Sequence, residues 1–101
     1  MPRLLGAAFY IQGEYTMETR VAVLSIIVEN GEMIEKINAI LHDSSDYIIG
    51  RMGIPYRKRN INIISIALDA PQDVISALAG KIGSLPGVST KTAYSNVMGN
   101  E

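Results

Sequence analysis

The feature that most constrains this chain is an internal repeat. Leu24-Ser25-Ile26-Ile27-Val28-Glu29 returns forty residues later as Ile64-Ser65-Ile66-Ala67-Leu68-Asp69. Behind each acid a helical stripe follows: Met33, Ile34, Ile37 and Leu41 in the first half, and Val74, Ile75, Leu78 and Ile82 at an offset of forty-one. Each half therefore offers a short, β-branched apolar run and then apolar residues at the three-to-four spacing of a helix. A strand that must be followed by a helix and then by another strand, twice over, leaves few folds.

The local signals fill in the order. Asn30 is placed to cap a helix whose first turn holds Glu32 and Glu35, where carboxylates favour the helix dipole. Met33, Ile34, Ile37, Ile40 and Leu41 form its stripe, and His42-Asp43-Ser44-Ser45-Asp46 closes it. A second extended segment runs from about Tyr47 to Tyr56, interrupted by Gly50 and Gly53, and Arg57-Lys58-Arg59-Asn60 turns the chain into a strand over Ile61 to Leu68. Pro71 suits the first position of the second helix, Gly83 a left-handed position at its end, and Leu85-Pro86-Gly87 prevents its continuation. Val88 to Tyr94 reads as the last strand. The order β-α-β-β-α-β with right-handed crossovers predicts an α+β ferredoxin-like sandwich: four antiparallel strands in the order 4-1-3-2, with two helices on one face. Strands one and three are apolar at almost every position, as central strands should be, and the glycines and Ser89-Thr90-Lys91-Thr92 fall on the edges.

Alternation then raises a difficulty. Leu24, Ile26, Val28, Ile64, Ile66 and Leu68 share one face and can pack beneath the helices. The opposite face carries Val21, Val23, Ile27, Ile61, Ile63 and Ala67, relieved only by Ser25 and Ser65. Such a patch, on the order of several hundred Å² if bare, is more than soluble monomers usually leave exposed. The expectation is a homodimer or higher oligomer whose interface is formed by Val21, Val23, Ser25, Ile27, Ile61, Ile63, Ser65 and Ala67. The alternative is that residues 1–16 fold over that face.

Those sixteen residues read as a loose N-terminal extension ahead of a single domain over 17–95, with 96–101 as a frayed tail. Leu4 to Ile11 is apolar, but it is far too short to span a bilayer and has no clean cleavage signal behind it. Met17 stands just before the patterned region and is the expected functional start; a short strand or helix docked on the domain is the other reading. A cytoplasmic protein with no membrane partner is expected.

Composition enters as a set of exclusions. The 101 residues contain 48% hydrophobic and 19% charged side chains, enough for a packed core. With no cysteine, thiol catalysis and Cys-based metal or cluster sites are ruled out, and one histidine gives no multi-histidine metal centre. A net charge of −1 discounts direct nucleic-acid binding, and strands one and three hold no Phe, Tyr or Trp on which bases could stack. No nucleophile–base pair is evident, so no catalytic residue, metal ligand or cofactor is expected and the chain reads as a non-enzyme. Two segments remain as candidate ligand sites. Asn30-Gly31-Glu32 closes a strand and opens a helix, where exposed N–H groups attract carboxylates. Gly50, Arg51 and Gly53 place a guanidinium in a strand whose glycines suggest a bulge or close backbone approach. The first also fits the ordinary needs of a strand-to-helix turn, and the second an irregular oligomer contact. His42, near a helix C-terminus, suits an interaction with the dipole.

With the repeat and Asn30-Gly31 in place, the chain resembles an ACT-type regulatory domain. Val28-Glu29-Asn30-Gly31 matches the Asp-x-Pro-Gly turn of that family in part and lacks its proline. The segments from Asp46 through Gly50-Arg51-Met52-Gly53 to Tyr56, and from Leu68-Asp69-Ala70-Pro71 to Leu78, resemble the small stand-alone ACT-like iron-only hydrogenase system regulators. The half ending in Leu85-Pro86-Gly87-Val88 is also similar to the effector domain of nickel-responsive repressors, whose several histidines and cysteine are absent here. The resemblance implies an ACT-like, non-enzymatic regulator of an iron-only hydrogenase system. It would act as a homo-oligomer and respond to a small-molecule effector or a hydrogenase-related protein. The alternative is an assembly factor for hydrogenase maturation that binds protein and no metabolite.

Overall fold

The computed structural model describes residues 8–11 and 14–97. At its start β1 (Ala8–Ile11) and β2 (Glu14–Met17) pair antiparallel, Ala8 opposite Met17, as a two-stranded sheet of their own. The expectations for residues 1–7, 12–13 and 98–101 lie outside the described residues. The repeat unit follows as β3 (Arg20–Val28), α1 (Ile34–Asp43), β4 (Ile48–Tyr56), β5 (Ile61–Ala70), α2 (Gln72–Gly83) and β6 (Val88–Tyr94). Short 3₁₀ turns over Gly31–Met33 and Ser45–Tyr47 lead into α1 and β4.

The four strands form one antiparallel sheet in the order β4-β5-β3-β6, the expected 4-1-3-2 arrangement read from its other edge. The sheet with its two helices is a ferredoxin-like α+β fold. The two repeat strands are central and directly paired, Leu24 opposite Ile66 and Ile26 opposite Ile64. Those rows point at the helices. Ala22, Leu24, Ile26 and Val28 of β3 join Ile64, Ile66, Leu68 and Ala70 of β5 in a single buried core. Ile37 and Leu41 of α1 and Ile75, Leu78 and Ile82 of α2 complete it, so both helices cover the same face. Each large aliphatic side chain buried there contributes roughly 1.5–3 kcal/mol by leaving water.

The helix ends differ in detail from the sequence expectation. Asn30 does cap, but it caps the 3₁₀ turn that precedes α1. Pro71 is the residue before α2 and not its first member. Gly83 is the last residue of α2, and Ser84 behind it has a φ of −84°. The left-handed glycine among the described residues is Gly87, with φ 72°. At Gly83 the missing side chain makes room for β6, since a Cβ there would stand 2.9 Å from Thr90 Oγ1.

A polar clasp ties the two ends of the repeat unit together. The Arg20 guanidinium lies 4.3 Å from the centre of the Tyr94 ring and donates to Gln72 Oε1 at 2.7 Å. Gln72 Nε2 in turn donates to the Tyr94 hydroxyl at 2.8 Å. Strand β3, helix α2 and strand β6 thus meet through one half-buried cation–π and hydrogen-bond network. Arg20→Ala is expected to lower the unfolding free energy by about 1–2 kcal/mol, and Tyr94→Phe by about 1 kcal/mol or less. Urea denaturation of the two variants checks both values; equal losses would place the stabilisation in the hydroxyl instead of the stacked ring.

Candidate functional site

Among the described residues, no helix lies over the face away from α1 and α2, and several of its side chains are exposed. On β3 the alternate residues Val21, Val23, Ser25 and Ile27 point there, and on β5 Ile61, Ile63, Ser65 and Ala67 do. The pairs Val23–Ala67, Ser25–Ser65 and Ile27–Ile63 lie side by side. Val21, Val23 and Ile63 remain 41%, 40% and 37% exposed, well above the central-strand residues on the other face.

Strand β4 enlarges this surface. Met52 pairs with Ser65, Ile54 with Ile63 and Tyr56 with Ile61, so all three share the open face, and all three are exposed. Their alternation is visible in the sequence, but Gly50, Gly53 and Pro55 between them obscure it. The strand β6 side differs: Ser89, Lys91 and Ala93 stand opposite Ile27, Ser25 and Val23. The apolar surface is therefore displaced toward the β4 edge and ends in polar groups at β6. Where the β4–β5 hairpin meets the end of β3, a broad concavity of about 630 Å³ is lined by Glu29, Tyr56, Arg59, Asn60, Ile61 and Ile63.

The candidate ligand residues fall into two separate places. In the Asn30-Gly31-Glu32 turn the Asn30 side-chain oxygen accepts the Glu32 N–H at 3.1 Å. The Met33 N–H donates to the Asn30 carbonyl, and the Ile34 N–H to that of Gly31. The Glu29 N–H donates to the Gly87 carbonyl at 2.7 Å. Those donors are engaged within the protein. Gly31 has open space where a Cβ would stand.

Arg51 lies elsewhere. It pairs with Ile66 and so points to the helix side, where its Nη2 donates to Asn38 Oδ1 of α1 at 2.9 Å. Its row is that of Leu24, four residues short of Val28, and β5 intervenes between β4 and β3. At about 3.3 Å per residue and 4.8 Å per strand, Arg51 and the Asn30 turn are more than ~15 Å apart in one chain. Gly50 faces the open side opposite Ala67 and Gly53 the helix side opposite Ile64. The pairing slips between Ile48 and Gly50, the irregularity that the glycines suggest. His42, one helical turn beyond Asn38, lines with Arg51, Asn38, Leu41, Ser45 and Ile48 a cleft of about 290 Å³. In the sequence His42 and Arg51 carry no sign that they are neighbours; their meeting depends on how α1 crosses β4.

Among the described residues, no three His, Cys, Asp or Glu side chains are grouped to hold a metal ion. No described helix is long and apolar enough to cross a membrane.

A family model headed TM1266-like, "Iron-only hydrogenase system regulator, putative", matches residues 20–92, from the first residue of β3 into β6. The chain belongs to the TM1266-like family. Among solved structures, the uncharacterized protein TM1266 from Thermotoga maritima is similar at 37% identity, with a TM-score of 0.73. That likeness covers 76% of this chain and 98% of the other. No curated protein matches the chain. The family match spans the open-face strands, the Asn30 turn and the Arg51 cleft together, and β1 and β2 lie outside it.

Proposed function

We propose that this TM1266-like chain is a non-catalytic, ACT-like regulatory module of an iron-only hydrogenase system. In this reading it works in the cytoplasm as a homo-oligomer and binds a small effector. The family's description supports the regulatory role. The observation that carries the reading is the open sheet face. Val21 and Val23 on one side of the Ser25–Ser65 pair, and Ile27, Ile61, Ile63, Ile54 and Tyr56 on the other with Met52 beside Ser65, form a largely apolar surface with no described helix over it. A second copy offers the same surface in return, and a two-fold contact between identical sheets needs only that the face be complementary to itself. Regulation then follows from coupling: an effector that binds the associated state better than the free chain shifts the population toward it.

Sedimentation velocity of the full chain at micromolar concentration tests this. The expected mass is at least twice the 11.0 kDa of the chain. An 11.0 kDa species across the whole concentration range would remove the basis of the proposal.

A further inference from the structure

We infer that the cleft between α1 and β4 is a binding site for a small organic carboxylate that carries no ammonium group. The inference rests on the reading of the chain as an effector-responsive module, and it names the site and the class of effector. Four polar side chains converge on the cleft: Arg51 from the edge strand, Asn38 and His42 one turn apart on α1, and Ser45 from the following 3₁₀ turn. The bond from Arg51 to Asn38 Oδ1 fixes the guanidinium across the cleft and occupies the amide oxygen, which leaves the Asn38 NH₂ as a donor. Arg51 retains further N–H groups in its planar fork, the geometry that matches a carboxylate in bidentate fashion. The Ser45 hydroxyl adds a donor.

Two further features narrow the class. The remaining lining residues, Leu41 and Ile48, are aliphatic. They suit the hydrocarbon body of an organic acid and give an inorganic anion nothing to contact. None of the six lining residues carries a carboxylate, so the ammonium of an amino acid would lie beside a guanidinium with no acidic partner. A volume of about 290 Å³ lies at the small end of ligand pockets and has room for a short-chain acid.

Isovalerate and valine have the same carbon skeleton and differ by the amino group, which makes them the discriminating pair. Amide spectra of the ¹⁵N-labelled full chain are recorded through titrations with each at constant pH and ionic strength. Isovalerate is expected to shift Asn38, His42, Ser45 and Arg51 saturably, with valine about threefold weaker, since these four side chains are exposed and the repulsion is screened. Arg51→Gln should weaken isovalerate by at least about tenfold, whereas Arg59→Gln on the β4–β5 turn should leave it unchanged. Arg51 is exposed, and the dispersion of the variant's spectrum reports that it is folded. Equal affinity for valine, an unaffected Arg51→Gln, or shifts centred on Arg57 to Arg59 would each overturn the assignment. Sedimentation on the same samples separates the two proposals. A self-associating chain that ignores isovalerate refutes this site alone, while a monomer that binds isovalerate at Arg51 keeps the site and removes the oligomeric reading.

Discussion

Val23→Asp is expected to weaken self-association of the chain by at least about a hundredfold while leaving the four-stranded fold intact. Val23 sits on the open face of the central strand β3, flanked in register by Ala67 on one side and Ala93 on the other. In a free chain the new carboxylate remains hydrated, because the position is 40% exposed. In a face-to-face pair it would lose that hydration against the partner's aliphatic side chains, with Ser25 beside it and Lys91 on the diagonal as the nearest polar groups of its own face. A hundredfold loss corresponds to about 2.7 kcal/mol, a modest part of the cost of burying an unpaired charge. The fold should lose about 1 kcal/mol at most, the span of strand propensities at an exposed position. Val97→Asp is the control, since Val97 is 77% exposed and lies beyond β6. Sedimentation velocity and urea denaturation on both variants give the two numbers. An association constant unchanged in Val23→Asp would mean that the chain pairs through some other surface.

The contrast between this face and the buried one explains what was legible in the sequence. Strands β3 and β5 declare both faces because nearly every residue is apolar and the forty-residue repeat aligns them. Their pairing and central position, and with them the fold, are legible in the sequence alone. Strand β4 hides its contribution. Met52, Ile54 and Tyr56 alternate as a strand should, but the intervening glycines and proline carry the stronger local signal. Only pairing with Ser65, Ile63 and Ile61 assigns the three to the open face. The Arg20–Gln72–Tyr94 clasp was invisible for a different reason. Its members are separated by up to seventy-four positions, and polar side chains carry no periodicity that marks them as partners. The Arg51 cleft is intermediate: its guanidinium could be singled out, whereas Asn38 and His42 become relevant only once α1 is laid across the sheet.

Gly87→Ala is expected to cost about 3 kcal/mol of stability, and Gly83→Ala to stay within about 1 kcal/mol. Both glycines bracket the turn between α2 and β6, and the sequence marks Gly83 as the left-handed one. The backbone reverses this. Gly87 has φ 72°, a conformation that costs an L-residue roughly 1–2 kcal/mol. Its Cβ would also stand 2.8 Å from Asn30 Cβ and 3.3 Å from the Asn30 backbone nitrogen. The Asn30 turn cannot yield freely, because the Glu29 N–H is held by the Gly87 carbonyl and the Asn30 side chain caps Glu32. Relief of the clash therefore loosens a hydrogen bond and a cap in addition to straining the turn. At Gly83 the obstacle is the hydroxyl of Thr90, a side chain that can rotate away. Rotation gives up the Thr90 bond to the Ala79 carbonyl, and the gain in helix propensity of about 1 kcal/mol offsets that loss. Urea midpoints at constant slope measure the difference between the variants. If Gly83→Ala proved the more damaging, the tighter contact would lie at the α2–β6 packing within the second half and not where Gly87 meets Asn30. The expected order instead means that the turn closing the first βα unit is locked by the residue that opens the last strand, so the two halves of the repeat are held together there as well as through the sheet.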